Sequence, residues 1–266
     1  MTNRNQPTRA ATTTAVHHLL AGRRILVTGA ARGLGFAFAR AVAEAVASVA
    51  MADIRADQAE ASAASLREHG FTAHAIEADL SDPASIEHCA ARAIHLLGGL
   101  DGLVNNAAVT DSGGRAADDI TTETWDKVMA VNVRGTWLMS RACHAALRTS
   151  GRGAIVNLAS DTALWGAPNL LAYVASKGAV IAMTHSLARE YGADNITVNA
   201  IAPGLVLVEA TKYVPEARHR LYVEQRALAR EQLPEDVCGP AVFALSDLAR
   251  FVTGQLLPVN GGFVMN

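Results

Sequence analysis

The chain has 266 residues, of which half are hydrophobic, 18% are charged and 5% are aromatic; this excludes a disordered chain and suits a large, well-buried core. A formal charge of −2 gives no global attraction to nucleic acid, and the best apolar run, AVAEAVASVAMAD, is interrupted by Glu44 and stopped by Asp53, too short for a membrane span. Cys89, Cys143 and Cys238 are far apart and the histidines lack ligand spacing, so no metal is expected and the thiols read as core residues of a reducing, cytoplasmic compartment.

Residues 1–20 hold two arginines and no acid; with neither an amphipathic arginine face nor an apolar core they are expected to be a flexible tail, ahead of one domain over 21–266. From residue 21 onward, short β-branched runs alternate with longer helical patterns, which predicts an α/β domain with a seven-stranded parallel sheet and helices on both faces. Strands are expected near 24–29, 48–53, 72–77, 101–106, 154–159, 196–201 and 255–259. Helices are expected at 33–46, 56–69, 83–97, 123–148, 173–192 and 235–246. The stretch 205–230 is helical in composition but interrupts the alternation, and reads as an insertion forming a substrate lid. Ligands of such sheets bind beyond the carboxyl ends of the strands.

The first strand runs into TGAARGLG, where Gly29, Gly33 and Gly35 permit a tight turn and let backbone N–H groups approach a pyrophosphate at a helix N-terminus. Asp53 ends the second strand, eighteen residues past Gly35, placed to accept from a ribose diol; its plainer role is a cap for the helix at Ala56. Asp79 follows the third strand, Asn105 to Ala107 the fourth, Ser160 the fifth and Pro203-Gly204 the sixth. The next long helix opens on YVASK, with Tyr173 and Lys177 one turn apart on one face. Chance alone gives such a pair in roughly one chain in twenty of this composition; its neighbours at the same sheet edge remove most of that chance.

In this order and spacing, Thr28-Gly29 with Gly33 and Gly35, the run Asn105 to Ala108, Asn132, Ser160 in NLAS, Tyr173 with Lys177, Pro203-Gly204 and the ending TGQLLPVNGG resemble the short-chain dehydrogenase/reductases, in their T-G-x-x-x-G-x-G branch. The resemblance covers residues 21–266 and implies a single-domain Rossmann fold. It implies a catalytic tetrad of Asn132, Ser160, Tyr173 and Lys177, acting on a secondary alcohol or ketone with a nicotinamide cofactor. Tyr173 would be the general acid/base, its phenol pKa drawn down by the Lys177 ammonium and the bound nicotinamide. Ser160 would orient the reacting oxygen, Lys177 would also hold the nicotinamide ribose, and Asn132 would bind a water that relays the proton. Each has a bland alternative: a strand-end turn residue, a surface charge, a buried hydrogen-bond satisfier.

The implied cofactor contacts are Gly29, Arg32, Gly33, Leu34 and Gly35 in the loop, Asp53 and Ile54, Asp79 and Leu80, Asn106 and Ala107, Tyr173 and Lys177, then Pro203, Gly204 and Val206. Arg32 can meet the 2′-phosphate of NADP, but Asp53 would repel it, so NAD is expected. Val208 stands where relatives often carry a threonine for the nicotinamide amide, and Asn260 where an acid is common. Substrate contacts are expected from Val109 to Asp111, including Thr110, from Thr162 to Ala167 with Trp165, and from 205–225. This mostly apolar lining favours a hydrophobic or cyclic alcohol. Apolar residues on more than one face of the helices at 123–148 and 173–192, with the apolar C-terminal edge that relatives also use, predict a homotetramer. A catalytically silent dinucleotide sensor or scaffold is the rival reading. A Ser160 hydrolase lacks the G-x-S-x-G elbow.

Overall fold

The computed structural model describes residues 18–110 and 113–265. The expected tail up to residue 17, and Asp111 of the expected substrate pocket, lie outside the described residues. Seven parallel strands alternate with helices: β1 (Arg24–Thr28), α1 (Gly33–Glu44), β2 (Ser48–Asp53), α2 (Ala56–Glu68), β3 (Ala73–Glu77), α3 (Pro83–Leu97) and β4 (Gly102–Asn105) form the first half. The second half has α4 (Thr122–Met129), a π-helical turn (Ala130–Gly135), α5 (Thr136–Ser150), β5 (Ala154–Leu158), a short α6 (Thr162–Trp165), α7 (Leu171–Tyr191), β6 (Thr197–Pro203), α8 (Glu216–Gln225), α9 (Glu235–Leu245) and β7 (Leu256–Val259).

The strand order is β3-β2-β1-β4-β5-β6-β7, every pair parallel. The chain starts in the middle and winds outward to β3, then crosses back to β4 and winds the other way. That reversal opens a crevice beyond β1 and β4, where such sheets bind ligands. The period-two alternation of the strands supplies both cores. Ile25 and Val27 point to a layer with Phe38, Val42, Val237 and Leu245, while Leu26 and Leu103 point to one with Ile86, Met139 and Leu187. A sheet buried on both faces needs apolar residues at successive positions, hence runs such as RILVT.

Two expectations need revision. Leu20, assigned to the tail, is fully buried and its N–H donates to Ala45 O at 3.0 Å, because the strand-opening turn packs an apolar side chain under the end of α1. The helix expected over 123–148 is broken by the π-helical turn, where Gly135 approaches Leu80 so closely that a Cβ would sit 2.7 Å from its carbonyl oxygen. π-turns absorb an extra residue and often mark functional positions; this one contains Asn132. Of the apolar residues on the helices expected at 123–148 and 173–192, Val128, Leu138, Leu147, Val180 and Leu187 are buried within the chain, whereas Trp137 is exposed.

Candidate active site

A cavity of about 890 Å³ lies along the carboxyl edge of the sheet, the size of a site for a large organic ligand. The loop after β1 forms one end. Gly29 and Gly33 have φ of +66° and +56°, and a Cβ at Gly35 would lie 1.9 Å from Gly29 O. Only a bare backbone closes this turn on the start of α1. No side chain caps α1, and its first residues, Gly33, Leu34 and Gly35, border the cavity, which leaves a helix N-terminus available to a pyrophosphate. Thr28 fixes the floor: its hydroxyl takes the N–H groups of Asn106 and Ala107, both at 3.1 Å, while Asn106 Nδ2 donates to Thr28 O.

Asp53 is nearly buried at the end of β2. Its Oδ2 accepts from Ala31 N and its Oδ1 from Arg55 N, each at 3.0 Å, which leaves each oxygen a lone pair for a ribose hydroxyl. Ile54, Arg32 and Arg55 line the same end, followed by Asp79 and Leu80. Arg55 escaped the sequence reading because a basic residue at a helix start carries no motif. Asp79 is held by Ser81, whose N–H and hydroxyl both donate to Oδ1. Leu34, Ala107, Pro203, Gly204 and Val206 also border the cavity. Val208 does too, and the hydroxyl of nearby Thr211 is committed to backbone: it accepts from Val208 N and donates to Val206 O at 2.7 Å. Asn105 does not reach the cavity; buried, it donates to Ser140 Oγ and Asn157 Oδ1, tying β4 to α5 and β5.

Ser160, Tyr173 and Lys177 meet midway along the cavity. Ser160 follows β5 and its Oγ accepts from Thr162 Oγ1 at 2.9 Å, so Thr162 lines the cavity and orients the serine. A side-chain hydrogen bond joins Ser160 to Tyr173. One turn along α7, Lys177 is 4% exposed; its Nζ donates to Leu158 O at 2.6 Å and lies 5.5 Å from the centre of the Tyr173 ring.

Burial pushes the Tyr173 phenol up to about 12, against a lowering contribution from the Ser160 hydrogen bond, and pushes the Lys177 ammonium down to about 8. This reverses the expected direction for Tyr173. With the chain's own groups alone, Lys177 loses its proton before the phenol does, so it cannot help that ionisation. A phenolate gains from the lysine only if something further brings Tyr173 below about 8. Asn132, 1% exposed, has both amide hydrogens engaged, by Val109 O and Ser176 Oγ at 3.0 Å each, and its Oδ1 accepts from Val109 N at 2.8 Å. Its side chain therefore locks the loop after β4 to α7.

The substrate end differs from expectation. Thr110 and Thr162 line it, but Trp165 does not. The indole turns into an aromatic cluster with Tyr222 and Phe263, its Nε1 donating to Tyr222 Oη at 3.3 Å, because a ring that size finds more apolar contact against those two rings than in the open cleft. Tyr213, Val214, Arg218 and Tyr222 line it from within the expected 205–225 stretch, joined by Asn169 and Leu170. Asn169 and Leu170 were not expected, because no motif marks the loop ahead of α7. Asp161 was also missed. It is fully buried beside Ser160, its Oδ1 accepts from Tyr222 Oη at 2.8 Å, and Oδ2 has no partner among the described residues. Burial holds its carboxyl up to about 7. Asn260 works within the C-terminal loop, accepting from Gly262 N and donating to Val264 O.

A family model described as enoyl-(acyl carrier protein) reductase matches residues 29–264. The chain belongs to the short-chain dehydrogenase/reductase family. This dehydrogenase/reductase is 37% identical to 2-(S)-hydroxypropyl-CoM dehydrogenase 3 of Xanthobacter autotrophicus, over 90% of its own length and 95% of the relative's. It is 35% identical to a probable galactose dehydrogenase of Rhizobium meliloti, over 91% and 95%. A solved structure, a putative NAD(P)-dependent gluconate 5-dehydrogenase from Beutenbergia cavernae with bound NADP at low occupancy, superposes with a TM-score of 0.87 at 35% identity, over 93% of this chain and 98% of that one. The chain is thus an oxidoreductase of the NAD(P)-dependent type. Among the described residues no helix is long and apolar enough to cross a membrane, and no three metal-ligating side chains cluster.

Proposed function

We propose that this short-chain dehydrogenase/reductase is an NAD-dependent alcohol dehydrogenase or carbonyl reductase, interconverting a secondary alcohol and a ketone. The observation that carries this reading is the joined pair Ser160 and Tyr173, with Lys177 beside the ring, in the same cavity as the bare-backbone loop of Gly29, Gly33 and Gly35. That loop fits a dinucleotide, since a Cβ at Gly35 would collide with Gly29 O and Asn106 Nδ2 and prevent the tight turn that brings bare backbone to the cavity. A bound nicotinamide would accept or return the hydride and, when oxidised, place a positive charge near Tyr173.

The chain's own residues do the rest. Ser160 holds the substrate oxygen, and Tyr173 takes its proton in oxidation or gives one in reduction. At neutral pH Lys177 is mainly an ammonium, since burial brings it down to about 8, and once the bound nicotinamide has brought Tyr173 below that value it supports the phenolate through Coulomb attraction. Asn132 keeps the loop of Val109 in register, and a proton-carrying water would use its remaining Oδ1 lone pair. NAD is favoured over NADP because Asp53 would face a 2′-phosphate, though Arg32 and Arg55 at that end limit the discrimination.

The test is incubation with NAD⁺ or NADP⁺ and a panel of secondary alcohols, followed by nicotinamide absorbance. Cofactor binding without turnover of any alcohol or ketone would favour the silent sensor or scaffold. We further propose a cytoplasmic homotetramer, supported by exposed Trp137 on α5 and by exposed Leu257 and Met265 at the C-terminal edge. Light scattering checks the assembly: a mass near 27.9 kDa would refute it.

A further inference from the structure

The cavity holds a cation that the hydride chemistry does not use. Arg218 projects from α8 into the lining, half-buried. One of its guanidinium N–H groups, on Nη2, donates to Pro168 O at 3.1 Å, and the guanidinium plane lies over the Trp165 ring, 5.8 Å from its centre. The indole is itself pinned by Tyr222, so the arginine is held in place before any ligand arrives, which lowers the ordering cost of binding. Its acidic helix neighbour is committed elsewhere: Glu216 pairs with Arg220 at 2.6 Å. Among the described residues, no carboxylate pairs with Arg218.

Of the other charged residues that line the cavity, Arg32, Asp53, Arg55 and Asp79 belong to the dinucleotide end, and Lys127 reaches the cavity from α4. Asp161 is buried and bonded to Tyr222, Lys177 is bonded to Leu158 O, and Glu209 sits by the dinucleotide loop, its Oε2 3.4 Å from where a Cβ of Gly33 would be. Arg218 has five N–H donors and Pro168 O takes one of them, so the rest of the fork can be offered to a ligand in the cavity. Its planar fork suits the paired oxygens of an oxyacid.

We infer that Arg218 recognises an oxyanion on the substrate, so that the alcohol or ketone handled at Tyr173 carries a carboxylate, sulfonate or phosphate group. This rests on the oxidoreductase reading above and replaces the hydrophobic or cyclic alcohol that the sequence favoured. The mostly apolar walls from Val109, Leu170 and Val214 would then contact the carbon chain between the two polar ends.

The experiment compares alcohols that differ only in charge, 3-hydroxybutanoate with its methyl ester and 4-hydroxypentanoate with its methyl ester, within a panel that adds hydroxyalkyl sulfonates, hydroxyalkyl phosphates and neutral secondary alcohols. The acids are expected to exceed the neutral partners in kcat/KM by at least about tenfold, the usual scale for a charge-assisted hydrogen bond. Arg218→Ala should reduce that acid-over-neutral ratio at least about tenfold, mainly through KM, and Arg218→Lys should restore part of it. Cofactor titration checks that each variant remains folded. An equal loss on acid and neutral substrates would make Arg218 a clasp of the lid and overturn the inference. Turnover of neutral alcohols alone would overturn it while leaving the oxidoreductase reading intact; no turnover of any alcohol or ketone would refute both.

Discussion

Replacing Lys177 by Met removes the charge while keeping the length of the side chain, and it separates what the lysine does for chemistry from what it does for folding. At 5.5 Å from the Tyr173 ring centre, an ammonium at an effective dielectric near 20 stabilises a phenolate by about 3 kcal/mol, or roughly two pKa units. With the oxidised cofactor bound and Tyr173 brought below about 8, the pH profile for kcat/KM of alcohol oxidation should therefore move up by about two units, and the rate at neutral pH should fall about a hundredfold. Stability should respond in the opposite sense. Lys177 in the folded chain sits near 8, below its ordinary 10.5, so the native state binds this proton less tightly than the unfolded chain. The resulting penalty, about 3 kcal/mol, is fully present below pH 8 and fades as pH rises toward 10.5. Loss of the bond to Leu158 O costs about 1–3 kcal/mol. The variant should thus be at least as stable as the parent at pH 7, and its melting temperature should lack the parent's rise between pH 8 and 10.5. Profiles of rate and melting temperature against pH provide the assay. A large fall in melting temperature at pH 7, with an unmoved rate profile, would refute both the charge role and the burial penalty.

Tyr173→Phe should keep the fold and cofactor binding but lose at least about a hundredfold in turnover; near-normal rates in steady-state assays would exclude the phenol as acid/base. Asp53→Ser should weaken NAD⁺ and relieve repulsion of NADP⁺, with Arg32 and Arg55 already lining that end, as competitive titration of the two cofactors would detect. Asp161→Asn keeps an acceptor for Tyr222 and removes a carboxyl held up to about 7. The parent's raised pKa means the folded state binds this proton more tightly, so its stability falls as pH rises from about 4 to 7. The variant should lose that slope and be more stable than the parent above pH 7 by about 2–4 kcal/mol, readable by urea denaturation; an unchanged pH slope would contradict the assignment.

The sequence determined the features that obey local rules. Strand and helix order followed from the alternation of short, continuous β-branched runs with helical patterning, because a parallel sheet buried on both faces needs apolar residues at nearly every strand position. The dinucleotide loop was legible because Gly29, Gly33 and Gly35 meet steric demands local to one turn, and the Tyr173/Lys177 pair because one helical turn fixes its geometry. Tertiary structure decided whatever depends on neighbours distant in the chain. The direction of the Tyr173 shift comes from burial under segments far from YVASK, and Asn132 acquires its partners only when the loop at Val109 meets the π-turn and α7. Trp165 leaves the cavity because Tyr222 and Phe263 offer it a better apolar surface. Arg218 enters because α8 folds over the sheet edge, a placement the composition of the insertion could not encode. A side chain's spacing along the chain fixes which face it shares; its partners, burial and charge state come from the segments that fold against it.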